Sequence, residues 1–168
     1  MQDISPLAPS ATTSQVAAPA DSAPLATSTP QTEAVGADTR RYKNATFHFS
    51  LVYPNRLQAL ENKEKGGALT VTFEDPDTNE GFEVYITPYA EDSVTRERFM
   101  TDEPSGVYQE PVDVVIGGVR ATMFFGSNPL MGDTREVWFI KGGYLYEVVT
   151  YKELDTWLGG IMSSWKFI

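Results

Sequence analysis

The sequence has no cysteine, which excludes disulfides, thiolate metal sites, cysteine nucleophiles and a lipid attached through cysteine. It has one histidine, His48, so no second histidine ligand exists within the chain, and histidine catalysis would have to use a residue set among alternating strand-like positions. There is no G-x-S-x-G element, Walker A loop or dinucleotide-binding glycine pattern. The pairs Gly66-Gly67, Gly117-Gly118, Gly142-Gly143 and Gly159-Gly160 stand alone and read as turns and packing positions. No stretch approaches the ~18 consecutive apolar residues of a membrane span, and no apolar run follows a basic N-terminus. Direct membrane insertion of this chain is therefore not expected.

Aromatic and basic residues are missing from the N-terminal stretch. No aromatic side chain precedes Tyr42, and none of the 13 Lys and Arg residues lies within 1–39, which holds four of the 23 acidic ones. Ala, Pro, Ser and Thr make up 25 of those residues, a composition with too little apolar surface to offset the entropy of ordering. The sequence thus predicts a disordered linker over 1–40 and one globular domain over 41–168. A linker of this kind suits a domain held at a cell envelope by an export signal or anchor preceding Met1, with a disordered tail on a cytoplasmic protein as the alternative. The net charge of −10 repels phosphate backbones, so nucleic acid is not an expected partner.

What the domain does contain is alternation. Phe47, Phe49, Leu51 and Tyr53 predict a half-buried strand from Thr46 to Tyr53 that Pro54 ends. Leu69, Val71 and Phe73, then Phe82, Val84 and Ile86, predict a hairpin across the polar run 74–81. A short helix capped by Asp92 or Ser93 runs to about Met100, and Val112–Ile116, Arg120–Gly126, Arg135–Ile140 and Tyr144–Tyr151 continue as a meander. Met123-Phe124-Phe125 and Val137-Trp138-Phe139-Ile140 are apolar on both faces and mark inner strands covered on both sides. Leu154, Trp157, Leu158, Ile161 and Trp165 form one helical stripe that can cover a face. The class is α+β.

Several phrases occur in an order that resembles the PsbP-like family, related to the extrinsic photosystem II subunit of the thylakoid lumen. They are Phe49-Ser50-Leu51-Val52-Tyr53-Pro54, Val84-Tyr85-Ile86-Thr87-Pro88 before Asp92-Ser93-Val94, Gly143-Tyr144-Leu145-Tyr146-Glu147-Val148, and Ser163-Ser164-Trp165-Lys166-Phe167. The resemblance spans about 42–168 and implies a central antiparallel sheet of about six strands flanked by helices, an α/β/α sandwich. It transfers no metal or binding residue to this chain. Photosystem function does not carry over either, because a fold is shared by proteins doing unrelated work.

Two local features carry candidate chemistry. Asp75-x-Asp77-x-Asn79 has the oxygen-ligand spacing that opens a calcium loop, but the sixth and twelfth positions are Glu80 and Ile86 where Gly and a bidentate Glu belong. A polar hairpin turn is the plainer reading, and calcium is the one cofactor the sequence suggests. Asn128-Pro129-Leu130-Met131-Gly132 places Leu130 and Met131 in a loop, where they serve either as a partner contact or as core under the domain edge. The sum is a non-enzymatic binding or assembly module, monomeric, exported and tethered through its leader, whose partner is a protein or small ligand. An enzyme with a motif-less site in a sheet-edge cleft and a structural spacer are the alternatives.

Overall fold

The computed structural model describes residues 27–28, 30–78 and 80–168. In chain order these form β1 (Thr27–Ser28), β2 (Thr32–Ala34), β3 (Thr39–Asn44), β4 (Phe49–Pro54), β5 (Gln58–Lys63), β6 (Leu69–Glu74) and β7 (Gly81–Pro88). Then follow α1 (Arg96–Asp102), β8 (Gln109–Ile116), β9 (Val119–Asn128), β10 (Gly132–Lys141), β11 (Tyr144–Tyr151), α2 (Asp155–Met162) and β12 (Lys166–Phe167). All pairings are antiparallel, in an eight-stranded sheet ordered β1-β5-β6-β7-β11-β10-β9-β8 and a four-stranded sheet ordered β12-β4-β3-β2.

Alternation decides what each sheet buries. Val71, Val84, Val148, Val137 and Met123 lie opposite one another across five strands, and period-2 geometry puts them all on one face. The small sheet covers that inner face with Tyr42, Phe49, Leu51 and Tyr53, each almost fully buried. Tyr42 meets Phe73 edge-on at 5.3 Å and Tyr53 meets it at 4.9 Å. Leu158, Ile161 and Met162 of α2 close the rest, at about 1.5–3 kcal/mol for each large apolar side chain buried. Across the layers, Arg135 forks onto Asp155 with N···O distances of 2.6 and 3.1 Å, tying β10 to α2.

The antiparallel sheet, the 69–86 hairpin and the two-faced inner strands were expected; the sheets are larger and the helices fewer than an α/β/α sandwich of about six strands. A second sheet, built on the β3–β4 aromatic stripe, does the covering that a helix was expected to do. Residues 1–26 and 29 of the expected linker lie outside the described residues, but strand pairing begins before residue 41, with β2 on β3 and an Arg41–Glu33 ion pair at 2.8 Å. The first alternating strand starts at Phe49, because Asn44 Oδ1 accepts from the N–H groups of Thr46 and Phe47 at 3.0 and 2.9 Å and turns the chain. His48 therefore sits exposed in that turn with φ of 53°, not on a strand. Helix α1 starts later than expected, capped by Thr95 through Arg98 N–H at 3.2 Å. Helix α2 stops at Met162, and Trp165 beyond it stacks on Phe49 at 4.3 Å.

Candidate functional site

The outer face of the large sheet is chemically unlike the inner one. Glu136, Trp138, Phe124, Thr122 and Glu147 share it by register. Seven residues of helix lie over this face, and their aromatic anchor is Phe99, with ring centroids 5.5 Å from Trp138 and 5.9 Å from Phe124. Tyr108, in the chain returning from α1, packs 4.8 Å from Phe124 and stays half exposed. Between the Asp92–Thr95 loop, α1 and strands β9 and β10 an open groove of about 750 Å³ remains. Phe99, Tyr108, Phe124 and Trp138 give it an apolar floor, and Arg96, Asp113 and Arg120 supply charge. Its size suits a docked apolar side-chain cluster or a small molecule.

Beside this groove, under the C-terminal end of α1, lie carboxylates in unusual number. Glu103, Glu136 and Glu147 are each more than nine-tenths buried, where charge is costly unless it is paired. Glu136 accepts from the Trp138 indole N–H at 2.7 Å and from the Thr134 hydroxyl at 3.0 Å. Burial, opposed by those two donors and reinforced by neighbouring Glu103, pushes the Glu136 carboxyl up to about 7. Glu147 is pushed further, to about 10, by burial first and then by the adjacent Asp102 carboxyl, with Arg98 pulling the other way. Its Oε1 has no N–H or O–H donor within reach, and the Arg98 guanidinium stands 4.0 Å off, engaged with Asp102. Burial and the adjacent Asp102 carboxyl thus both favour the neutral form of Glu147.

These acids lie off the lining of the groove. Trp138 lines the cavity and donates to Glu136, but neither Glu136 nor Glu147 lines it. Among the described residues no three His, Asp or Glu side chains converge as a metal-binding group. No described helix is long and apolar enough to cross a membrane.

The residues singled out from sequence fall elsewhere. Asp75 lies in the β6–β7 turn, where Oδ1 accepts from Asp77 N–H at 3.0 Å and Oδ2 from Arg56 at 3.1 Å. The Asp77 N–H, then Arg56, hold its carboxyl below the ordinary range. Asn79, the third member of the calcium spacing, lies outside the described residues. A cation at this turn would have to displace Arg56, which also pairs with Glu80. Leu130 and Met131 part company: Leu130 is 94% exposed at the tip of the β9–β10 turn, whereas Met131 is half-buried and lines a small cavity with Phe82, Glu83 and Val149. Sequence reasoning missed Glu136 and Glu147. Their signal was an acidic residue directly beside an apolar stretch of an inner strand, Glu136 before Val137-Trp138-Phe139-Ile140 and Glu147 between Tyr146 and Val148.

No family model and no curated protein matches the chain. Among solved structures it is similar to the solution structure of cyanobacterial PsbP (CyanoP) from Synechocystis sp. PCC 6803, at 18% identity and a TM-score of 0.56. That match covers 81% of this chain and 96% of the other. The order of phrases from Phe49 to Phe167 and the layered antiparallel sheets thus agree with it, and the chain has a PsbP-like fold.

Proposed function

We propose that this chain is a non-enzymatic binding or assembly module that holds a partner protein in the groove between α1 and the outer face of the large sheet. The observation that carries the reading is the groove itself: about 750 Å³, open to solvent and floored by Phe99, Tyr108, Phe124 and Trp138, with the buried acids set behind that floor. Tyr108, half exposed at the groove, presents aromatic contact area at low entropic cost, the character of a binding hot spot, and the nearly fully buried Phe124 packs beneath it. Leu130, fully projecting from the far turn, offers a second contact. The small-residue and proline composition of the leader favours a spacer that displays the domain at a cell envelope after export.

The raised pKa of Glu136 also suits a general acid, but an acid that does not reach the cavity cannot meet a substrate there, and binding is the better reading. The test is co-purification from the native host with wild-type and Tyr108→Glu proteins, Tyr108 being half exposed at the groove. A protein retained by wild type and lost by the variant, with melting temperature unchanged, is expected. Equal recovery by both variants would contradict the reading.

A further inference from the structure

The large sheet ends on β8, which pairs with β9 on one side and with no described strand on the other. An open edge offers a row of N–H and C=O groups to any extended chain, and proteins usually guard such edges. Here the guard covers only the first half of β8. Glu110 has a left-handed φ of 49°, Pro111 lacks an N–H, and the ladder on β9 shifts register between Gln109 and Val112. From Val112 to Ile116 the ladder is regular, and Val112 and Val115 stand 49% and 67% exposed.

Cavities flank this half-strand on both faces. The outer groove reaches Asp113, and an inner one of about 210 Å³ is lined by Val114, Ile116, Leu158, Gly159 and Met162. A strand added to β8 would send alternate side chains to opposite faces and so into both. Gly159 lies inside α2, where glycine costs about 1 kcal/mol against alanine, yet a Cβ there meets nothing within 4 Å. Among the described residues no contact requires that glycine. Without a side chain, Gly159 leaves the inner cavity beside Val114 and Ile116 open to an added strand.

Charge selects the occupant. The guarded and open halves of β8 expose Glu110 and Asp113, in a chain of net charge −10, and like charges facing across a ladder are unfavourable. A second copy of β8, Gln109–Ile116, has no Lys or Arg to set against Asp113, and residues 1–26 hold four prolines and no basic residue. We propose that Val112–Ile116 is a strand-addition site for an extended segment of a partner protein carrying apolar residues at alternate positions and Lys or Arg opposite Asp113. The Arg120–Asp113 pair, 3.5 Å apart and largely exposed, is weak enough to be exchanged for such a contact. This rests on the binding reading and names the partner's chemistry.

The test uses the full chain and the synthetic peptide acetyl-Lys-Val-Lys-Val-Lys-Val-amide, followed by amide chemical shifts. Saturable shifts confined to Val112–Ile116 and the neighbouring turn of α2 are expected. Binding should fall at least fivefold for Asp113→Lys and vanish for the peptide N-methylated at alternate residues, which cannot complete a ladder. No shift at Val112–Ile116 with millimolar peptide, or equal binding by the N-methylated peptide, overturns the proposal. Self-association through these residues also overturns it, by making a second copy the occupant. Loss of a host partner in Tyr108→Glu without any β8 response would leave the groove reading standing and the edge proposal refuted.

Discussion

Replacing Glu136 with Gln should stabilise this protein at pH 8 and do little at pH 4.5. The reason lies in where the proton is held. Glu136 is pushed from an ordinary carboxyl value of 4.5 to about 7 in the folded protein, so between those values the native state keeps a proton that the unfolded chain has released. A carboxyl raised in this way contributes stability that is complete below pH 4.5 and is lost as pH rises through 7. At 1.36 kcal/mol per pKa unit the loss is about 3 kcal/mol, and for a domain of this size that is on the order of 10 °C in melting temperature. Glu147, raised in the same direction to about 10, continues the decline above neutrality. Asp75, whose carboxyl is lowered, sets the opposite trend in strong acid, so maximum stability belongs near pH 4–5. Glutamine keeps an oxygen for the Trp138 N–H at 2.7 Å and turns its NH2 to the Thr134 hydroxyl, which can accept, but it cannot ionise. Urea unfolding of wild type, Glu136→Gln and Glu147→Gln at pH 4.5, 6, 7 and 8 reads the effect. A wild-type stability that rises from pH 5 to 8, or variants that lose stability equally at every pH, would mean that these carboxylates are ionised in the folded protein. The reasoning about burial would then be wrong.

Truncating Asp155 to Ala leaves the Arg135 guanidinium, 8% exposed, without its carboxylate, at an expected cost of about 3 kcal/mol in urea unfolding. Leu130→Ser should change stability by less than about 0.5 kcal/mol, because the side chain is 94% exposed; a larger loss would place it in contact with the core. Since Arg56 and the Asp77 N–H already engage Asp75, millimolar calcium should leave the melting temperature unchanged. A rise of several degrees would restore the calcium loop.

Where the chain announces itself by alternation, the fold was legible: Leu69-Val71-Phe73 against Ile86-Val84-Phe82 pairs in register as the pattern requires. Strand β5 was not, because Gln58–Lys63 carries few apolar residues and its Glu61 earns its place through the Tyr42 hydroxyl at 2.7 Å, a contact made 19 residues away. Phe47 misled the strand boundary because it is buried through a turn, packing 4.9 Å from Tyr144, so burial without a ladder mimicked alternation. Trp165 fell on the helical stripe yet is buried from beyond the helix, held by its stack on Phe49. The groove was invisible for a different reason. Its floor joins Phe99 and Tyr108 to Phe124 and Trp138, and only the β8–β9–β10 order brings these together. Glu136 and Glu147 did carry a signal, an acid abutting the apolar stretch of an inner strand, whose meaning depends on what covers that face.

The central claim is that a partner protein docks on the outer face under α1. A photo-crosslinking benzoyl-phenylalanine at Tyr108, whose side chain is 48% exposed at the groove, tests it in the native host, with the same probe at exposed Lys63 as reference. The account predicts one discrete protein adduct at Tyr108 that is absent at Lys63. Adducts of equal pattern at both positions, or none at Tyr108, would contradict it.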